Sequence, residues 1–169
     1  MIKLIKQKLA ESQFNAVLKK HAITTRTSFS TLTNDHKTIV IIFPEGKKEE
    51  HEANNSLMFF FKTYSKSEFI LIKPSELKKE ELLFSGLPSK SYFDQFRKKK
   101  INLLIDLNNE FHFLGCFISG KIRASIKVRL NNLERGAELY HLSLDCKKEF
   151  LKERLECLRN YSLKLKDVI

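Results

Sequence analysis

Glycine and proline are scarce in this chain, 5 and 3 among 169 residues, which excludes low-complexity and long-linker architectures. Cysteine is equally sparse. Cys116, Cys146 and Cys157 share no paired spacing, so no disulfide framework is expected. Cys116 and Cys157 fall among apolar residues at helical spacing and read as small buried hydrophobes. An odd count without a signal peptide suits a reducing cytoplasm. No apolar run approaches the ~20 residues needed to cross a bilayer. Tryptophan is missing altogether, which excludes nothing.

Chemical motifs are missing too. No strand is followed by G-x-G-x-x-G, and no G-x-x-x-x-G-K-[ST] occurs, so dinucleotide and P-loop chemistry have no support. Ser and Cys nucleophile motifs are also lacking. His21, His36, His51, His112 and His141 lie far apart, with no metal-ligand spacing against the cysteines. His112, set between Phe111 and Phe113, reads as a helix-surface or core-edge histidine. The expectation is a chain with no catalytic residues, no metal and no cofactor.

What the chain does have is positive charge. Lys and Arg number 31 against 20 Asp and Glu, a formal net charge of +11. The stretch Lys90–Arg129 alone holds nine basic and three acidic residues, more than half of that excess. A concentrated basic excess points to an anionic partner such as RNA, DNA, phosphates or an acidic membrane surface. Hydrophobic residues at 42% and charged residues at 30% are ordinary for a globular protein. The length suits one domain with a real core.

Ile2 to about Ala22 reads as a basic amphipathic helix. Its apolar side is Ile2, Ile5, Leu9, Ala16 and Leu18, with Lys3, Lys6, Lys8, Lys19 and Lys20 around them. Residues 1–22 thus form an arm suited to the domain itself, another protein or a membrane surface. Residues 23–36, rich in Thr and Ser, form a polar connector to a domain over residues 37–169.

Thr38-Ile-Val-Ile-Ile-Phe43 is unalternated and β-branched, which predicts a strand buried on both faces, and Glu68-Phe-Ile-Leu-Ile72 predicts a second buried strand. Between them, Glu49, Glu50 and Glu52 load the first turn of a helix whose core side is Leu57, Phe60 and Tyr64. Leu82-Leu-Phe84 predicts a short third strand, and Tyr92–Lys99 a short helix. Lys100–Asn109 is a central strand ended by Asp106 and two asparagines, then a Phe-rich helix closed by Gly120. Next, Ile122, Ala124, Ile126 and Val128 alternate with Arg123, Ser125, Lys127 and Arg129, predicting a strand towards the sheet edge with one face in water. Leu139–Leu144 is a last strand. Asp145 can N-cap a final helix in which Leu151, Leu155, Leu158, Ser162 and Leu165 share one side. These elements predict an α/β fold: a single three-layer Rossmann-like domain with a mainly parallel sheet of about five or six strands, plus the N-terminal basic helix and a C-terminal helix.

The segment Leu104-Ile-Asp-Leu-Asn108, a helix, then Gly120-Lys-Ile-Arg123 resembles the N-terminal Rossmann-like domain of heptosyltransferase-type glycosyltransferases. There a strand ending in Asp-Leu precedes a helix, a small residue and a short basic strand containing Arg. Here Arg123 runs into Ala124-Ser125 where those enzymes have Val-Gly. They hold the nucleotide sugar largely through a second domain, so the resemblance implies a half-domain binding a sugar or nucleotide, alone or with a partner chain. The layout is also similar to that of short single-domain α/β proteins of Bacteroidota, an uncharacterised family.

Two groups of residues are candidates for a site. If the two strongest strands are neighbours, Glu45, Gly46, Asp106, Asn108 and Asn109 would line a crevice at their carboxyl ends, where open parallel sheets bind ligands. The plainer reading has Asp106 and Asn108 capping the next helix and Glu45 as a solvated turn residue. The second group is basic. Alternate strand positions lie ~6.6 Å apart, so Arg123, Lys127 and Arg129, led in by Lys121, would form a ladder matching successive phosphates. Lys98, Lys99 and Lys100 would add charge at the end of the neighbouring strand opposite Asp106. The plainer reading there is an edge strand charged against aggregation. No aromatic residues interleave with the cations, so contacts would be to phosphate rather than to bases. The leading expectation is a non-catalytic, cytoplasmic domain that binds RNA or a ribonucleoprotein such as the ribosome.

Overall fold

A computed structural model of the protein describes residues 2–23, 37–144 and 150–166. The first two predicted strands form β1 (Thr38–Ile42) and β2 (Glu68–Ile72), with helix α2 (Lys47–Thr63) between them. Helix α3 (Lys90–Arg97) leads to β3 (Ile101–Asp106), and α4 (Phe113–Lys121) leads to β4 (Ala124–Arg129). A two-residue strand, β5 (Leu142–Ser143), precedes α5 (Leu151–Lys166), and the chain opens with α1 (Ile2–His21). All pairs are parallel, in the order β2-β1-β3-β4-β5. The fold is Rossmann-like, with five strands in one parallel sheet and helices on both faces.

Side chains alternate across a strand, and β1, β3 and most of β4 are covered on both faces. In contrast β2, expected to be buried, is a half-exposed edge strand in which Leu71 is 41% exposed and only Ile72 is buried. Ile39, Ile41 and Phe43 of the β1 segment turn towards α2 and α5, where Leu57, Phe60, Leu151, Leu155 and Leu158 meet them. Val40 and Ile42 turn the other way, to Phe14 and Val17 of α1, Phe93 and Phe96 of α3, and Phe117 and Ile118 of α4. The side chains of Ser162 and Leu165, and the predicted cap Asp145, lie outside the described residues. Leu151 N donates to the Glu52 carboxylate 3.1 Å away, which satisfies one of the orphan donors opening α5.

Several expectations need correcting. Leu82–Phe84 forms no strand of the sheet; Leu82 makes an isolated antiparallel bridge to Pro88. The last strand is only Leu142–Ser143, because Ala137–Leu139 turn as a 3-10 helix. In α1 the buried stripe differs from the expected one: Ile2, Ile5 and Leu9 are exposed, and the buried residues are Phe14 and Val17. The Phe14 ring packs 4.8 Å from that of Phe113 and 6.0 Å from that of Phe111. A Cβ on Gly120 would collide with the Val17 side chain, so the bare glycine is what lets α1 approach α4. Finally, β4 is not a half-solvated edge strand. From Ile126 to Arg129 it is buried on both faces, between β3 and β5.

Candidate functional site

In this strand order the chain reverses direction between β1 and β3, so the predicted crevice falls at their carboxyl ends. The register sets Ile42 beside Asp106, and Asp106 beside Arg129. Asp106 is nearly inaccessible at 2% exposure, and Asn108 is at 5%. The Asp106 Oδ1 accepts from Asn108 N at 3.0 Å and from Asn108 Nδ2 at 2.6 Å. Its Oδ2 accepts from the Tyr140 hydroxyl at 2.5 Å, and that hydroxyl is 3.0 Å from Ser119 Oγ. The carboxylate is thus consumed in fixing the turn after β3, an Asx-type local bond closed by a buried phenol. Asp106 and Asn108 therefore do not line an open crevice.

The rim of the switch point carries the other three residues. Glu45 and Asn109 are exposed, while Gly46 has φ 122°, a conformation that favours glycine, just before α2. Glu45 meets His112, which the sequence alone places no nearer to it than a helix surface or core edge. His112 caps α4: its Nδ1 accepts from Gly115 N at 3.1 Å, so its Nε2 carries the hydrogen and donates to Glu45 at 2.6 Å. The polar run Asn108–Glu110 ahead of an apolar helix signals a cap nearby, but gives no reason to prefer His112.

Chemically this end of the sheet is quiet. Burial, then the neighbouring Asp106, pushes the Cys116 thiol up to about 12, and the same two causes raise the Tyr140 hydroxyl well above its ordinary value. Both stay protonated near neutrality, so neither is an activated nucleophile. Among the described residues no three His, Cys, Asp or Glu side chains gather as a metal site.

The predicted cation ladder divides in two. Lys127 and Arg129, at 6% and 3% exposure, point into the protein. Lys127 Nζ donates to Ser119 O at 2.6 Å, placing an ammonium on the carbonyl-rich end of α4. Its burial lowers its pKa from 10.5 to about 8. Arg129 donates through Nε to Ser143 Oγ at 2.7 Å and through a terminal nitrogen to Arg135 O at 3.4 Å, and its guanidinium lies over the Tyr140 ring. These two side chains bond within the protein and cannot form a solvent-facing ladder.

The other five gather at the opposite, amino end of the sheet. Ile101 pairs with Ala124, so the residues just before each, Lys100 and Arg123, enter neighbouring strands side by side, about 4.8 Å apart at the backbone. Lys98 and Lys99 form the turn from α3 into β3, and Lys121 is the last residue of α4. All five are exposed. Among the described residues, Lys99 is drawn into an ion pair with Glu68 at 2.5 Å. The C-terminus of α1 closes on the same place: partial burial lowers the pKa of His21, and so does the positive field of Lys121, Lys127, Lys20 and Arg123. Sequence spacing could not have found Lys20 and His21 here, since about 80 residues separate them from Lys98.

Residues 6–164 match a family of unknown function, DUF6913. The chain belongs to that family. The match runs from within α1 into α5, so it takes in both the basic end and the buried Asp106 cluster. No curated protein and no solved structure matches the chain.

Proposed function

We propose that the protein is a non-catalytic, cytoplasmic domain that binds RNA or a ribonucleoprotein such as the ribosome through the amino end of its sheet. The observation that carries this reading is the convergence of Lys98, Lys100, Lys121 and Arg123, from two loops and a helix end, beside Lys20 and His21. Like charges held this close repel one another, and an anionic partner relieves that repulsion. The ring beneath Lys121, that of Phe117, is buried and closed to base stacking, so the cations suit phosphates and carry little base preference. Each phosphate neutralised releases condensed counterions, and affinity then falls steeply with salt.

The test is a salt titration of binding to single-stranded RNA. Replacing Lys100, Lys121 and Arg123 together by Ala should weaken binding and flatten the log–log salt slope by about 2, at ~0.7 for each phosphate no longer neutralised. Affinity that ignores salt, or a triple variant that binds as the parent does, overturns the proposal. A second reading, a glycosyltransferase-like half-domain for a sugar or nucleotide, rests on Glu45, His112 and Asn109 at the rim of the switch point. Calorimetry against a panel of nucleotide sugars separates the two, and silence across the panel removes it.

A further inference from the structure

The first half of α1 stands away from the domain. Phe14 packs at the head of α4, against Phe111 and Phe113, and Val17 packs near its tail, at Gly120. Helix α4 descends from the carboxyl end of β3, so residues 2–9 extend past that end of the sheet, by roughly 10 Å at 1.5 Å per residue. Every residue from Ile2 to Leu9 is exposed. That includes four large apolar side chains, Ile2 at 66%, Leu4 at 58%, Ile5 at 47% and Leu9 at 43%.

Three of these share a side. At about 100° per residue, Ile2, Ile5 and Leu9 fall within an arc of roughly 60°, and Lys6 flanks them. A second element adds to the same patch. Lys6 Nζ lies 4.9 Å from the centre of the Phe84 ring, and Ser85 Oγ donates to Gln13 Oε1 at 2.7 Å, which fastens the loop carrying Leu83 and Phe84 along α1. Phe84 is 62% exposed and Leu83 40%. Five large exposed apolar side chains thus come from two elements joined at Lys6 and Gln13, with Lys3, Lys6 and Lys8 on α1 and no acid before Glu11.

Charge decides what covers it. A second copy would bring the same lysines together in a chain already at +11. An anionic lipid surface instead accepts both features, apolar side chains at the acyl boundary and ammonium groups among the head groups. We infer that the stripe Ile2–Ile5–Leu9 together with the Leu83–Phe84 loop is an attachment site for an anionic membrane surface. It lies at the other end of the molecule from the cations proposed to hold RNA. No helix among the described residues is long and apolar enough to cross a membrane, so the contact is one of lying on the surface.

Cosedimentation of the full chain with vesicles of phosphatidylglycerol and phosphatidylcholine, against phosphatidylcholine alone, tests this. Binding should require the anionic lipid and fall about tenfold or more in the variant Ile5→Ser, Leu9→Ser, Phe84→Ser. Those side chains are exposed, so the variant should keep the parent's circular dichroism. It should also bind RNA normally, whereas the variant lacking Lys100, Lys121 and Arg123 should bind vesicles nearly as the parent does. Since the chain has no other Trp, Phe84→Trp provides a second readout, a blue shift of emission on anionic vesicles. Binding that survives the apolar triple variant, or no binding at all, overturns the inference. So does a concentration-dependent dimer that the same variant abolishes, because a second copy would then be the occupant.

Discussion

Arg123 and Arg129 stand six residues apart in one short stretch, in opposite environments. Arg123 is exposed at the mouth of β4, among Lys98, Lys100 and Lys121. Arg129 is 3% exposed, bonded to Ser143 and Arg135 and laid over Tyr140. Lys127 goes with Arg129, its ammonium on the last turn of α4. The difference is coverage. Beyond its first residues the strand runs beneath α1, α4 and the Ala137–Tyr140 turn, and these turn its basic face into an interior one. The cations in the covered part are engaged by partners inside the protein, whereas those at the mouth remain available to a partner outside it.

Removing Arg129 should break this comparison most visibly. Arg129→Ala abandons two hydrogen bonds and the stacking on Tyr140, and uncovers polar partners in a closed space. The expected loss is about 3 kcal/mol in urea unfolding. A loss no larger than that of an ordinary surface residue would mean that the buried cation is not holding the β4–β5 corner.

Lys127 should declare its burial through pH. Its folded pKa, about 8, lies below its ordinary value of 10.5. The folded state therefore disfavours the ammonium, and the penalty is full below about pH 8 and gone above about pH 10.5. Relative to Lys127→Met, the parent should gain stability across that window, by up to about 3 kcal/mol at ~1.4 kcal/mol per pH unit. Parallel stability–pH curves for parent and variant would contradict a buried, desolvated lysine. Arg123→Ala should do least, changing stability by less than about 0.5 kcal/mol while still weakening RNA binding. A large stability loss there would erase the contrast between the mouth of the strand and its interior.

Much of the fold is legible because it rests on local pattern. Glu68–Ile72 is delimited at both ends by its residues, and Thr38–Phe43 and Lys100–Asn109 stand out as central neighbours, since a strand buried on both faces must be apolar throughout. Leu151, Leu155 and Leu158 follow from helical spacing. The basic face of β4 misleads for an equally physical reason. Alternation separates two faces of a strand but does not say what lies over the polar one, and here Ser119 O, Ser143 and Tyr140 supply its partners. Helix α1 has apolar residues on two sides; Gly120 and the Phe111–Phe113 pair, about a hundred residues away, select the one bearing Phe14 and Val17. The Asp106 site is half visible. The Asx bond to Asn108 is local, whereas Tyr140 reaches it across 34 residues.

By itself, then, the sequence determined a parallel α/β domain with a basic excess concentrated in Lys90–Arg129, because burial and charge are written residue by residue. Only the tertiary structure decided which of those charges meet water. That choice depends on which helices cover β4, and on a register that sets Lys100 beside Arg123 and Asp106 beside Arg129.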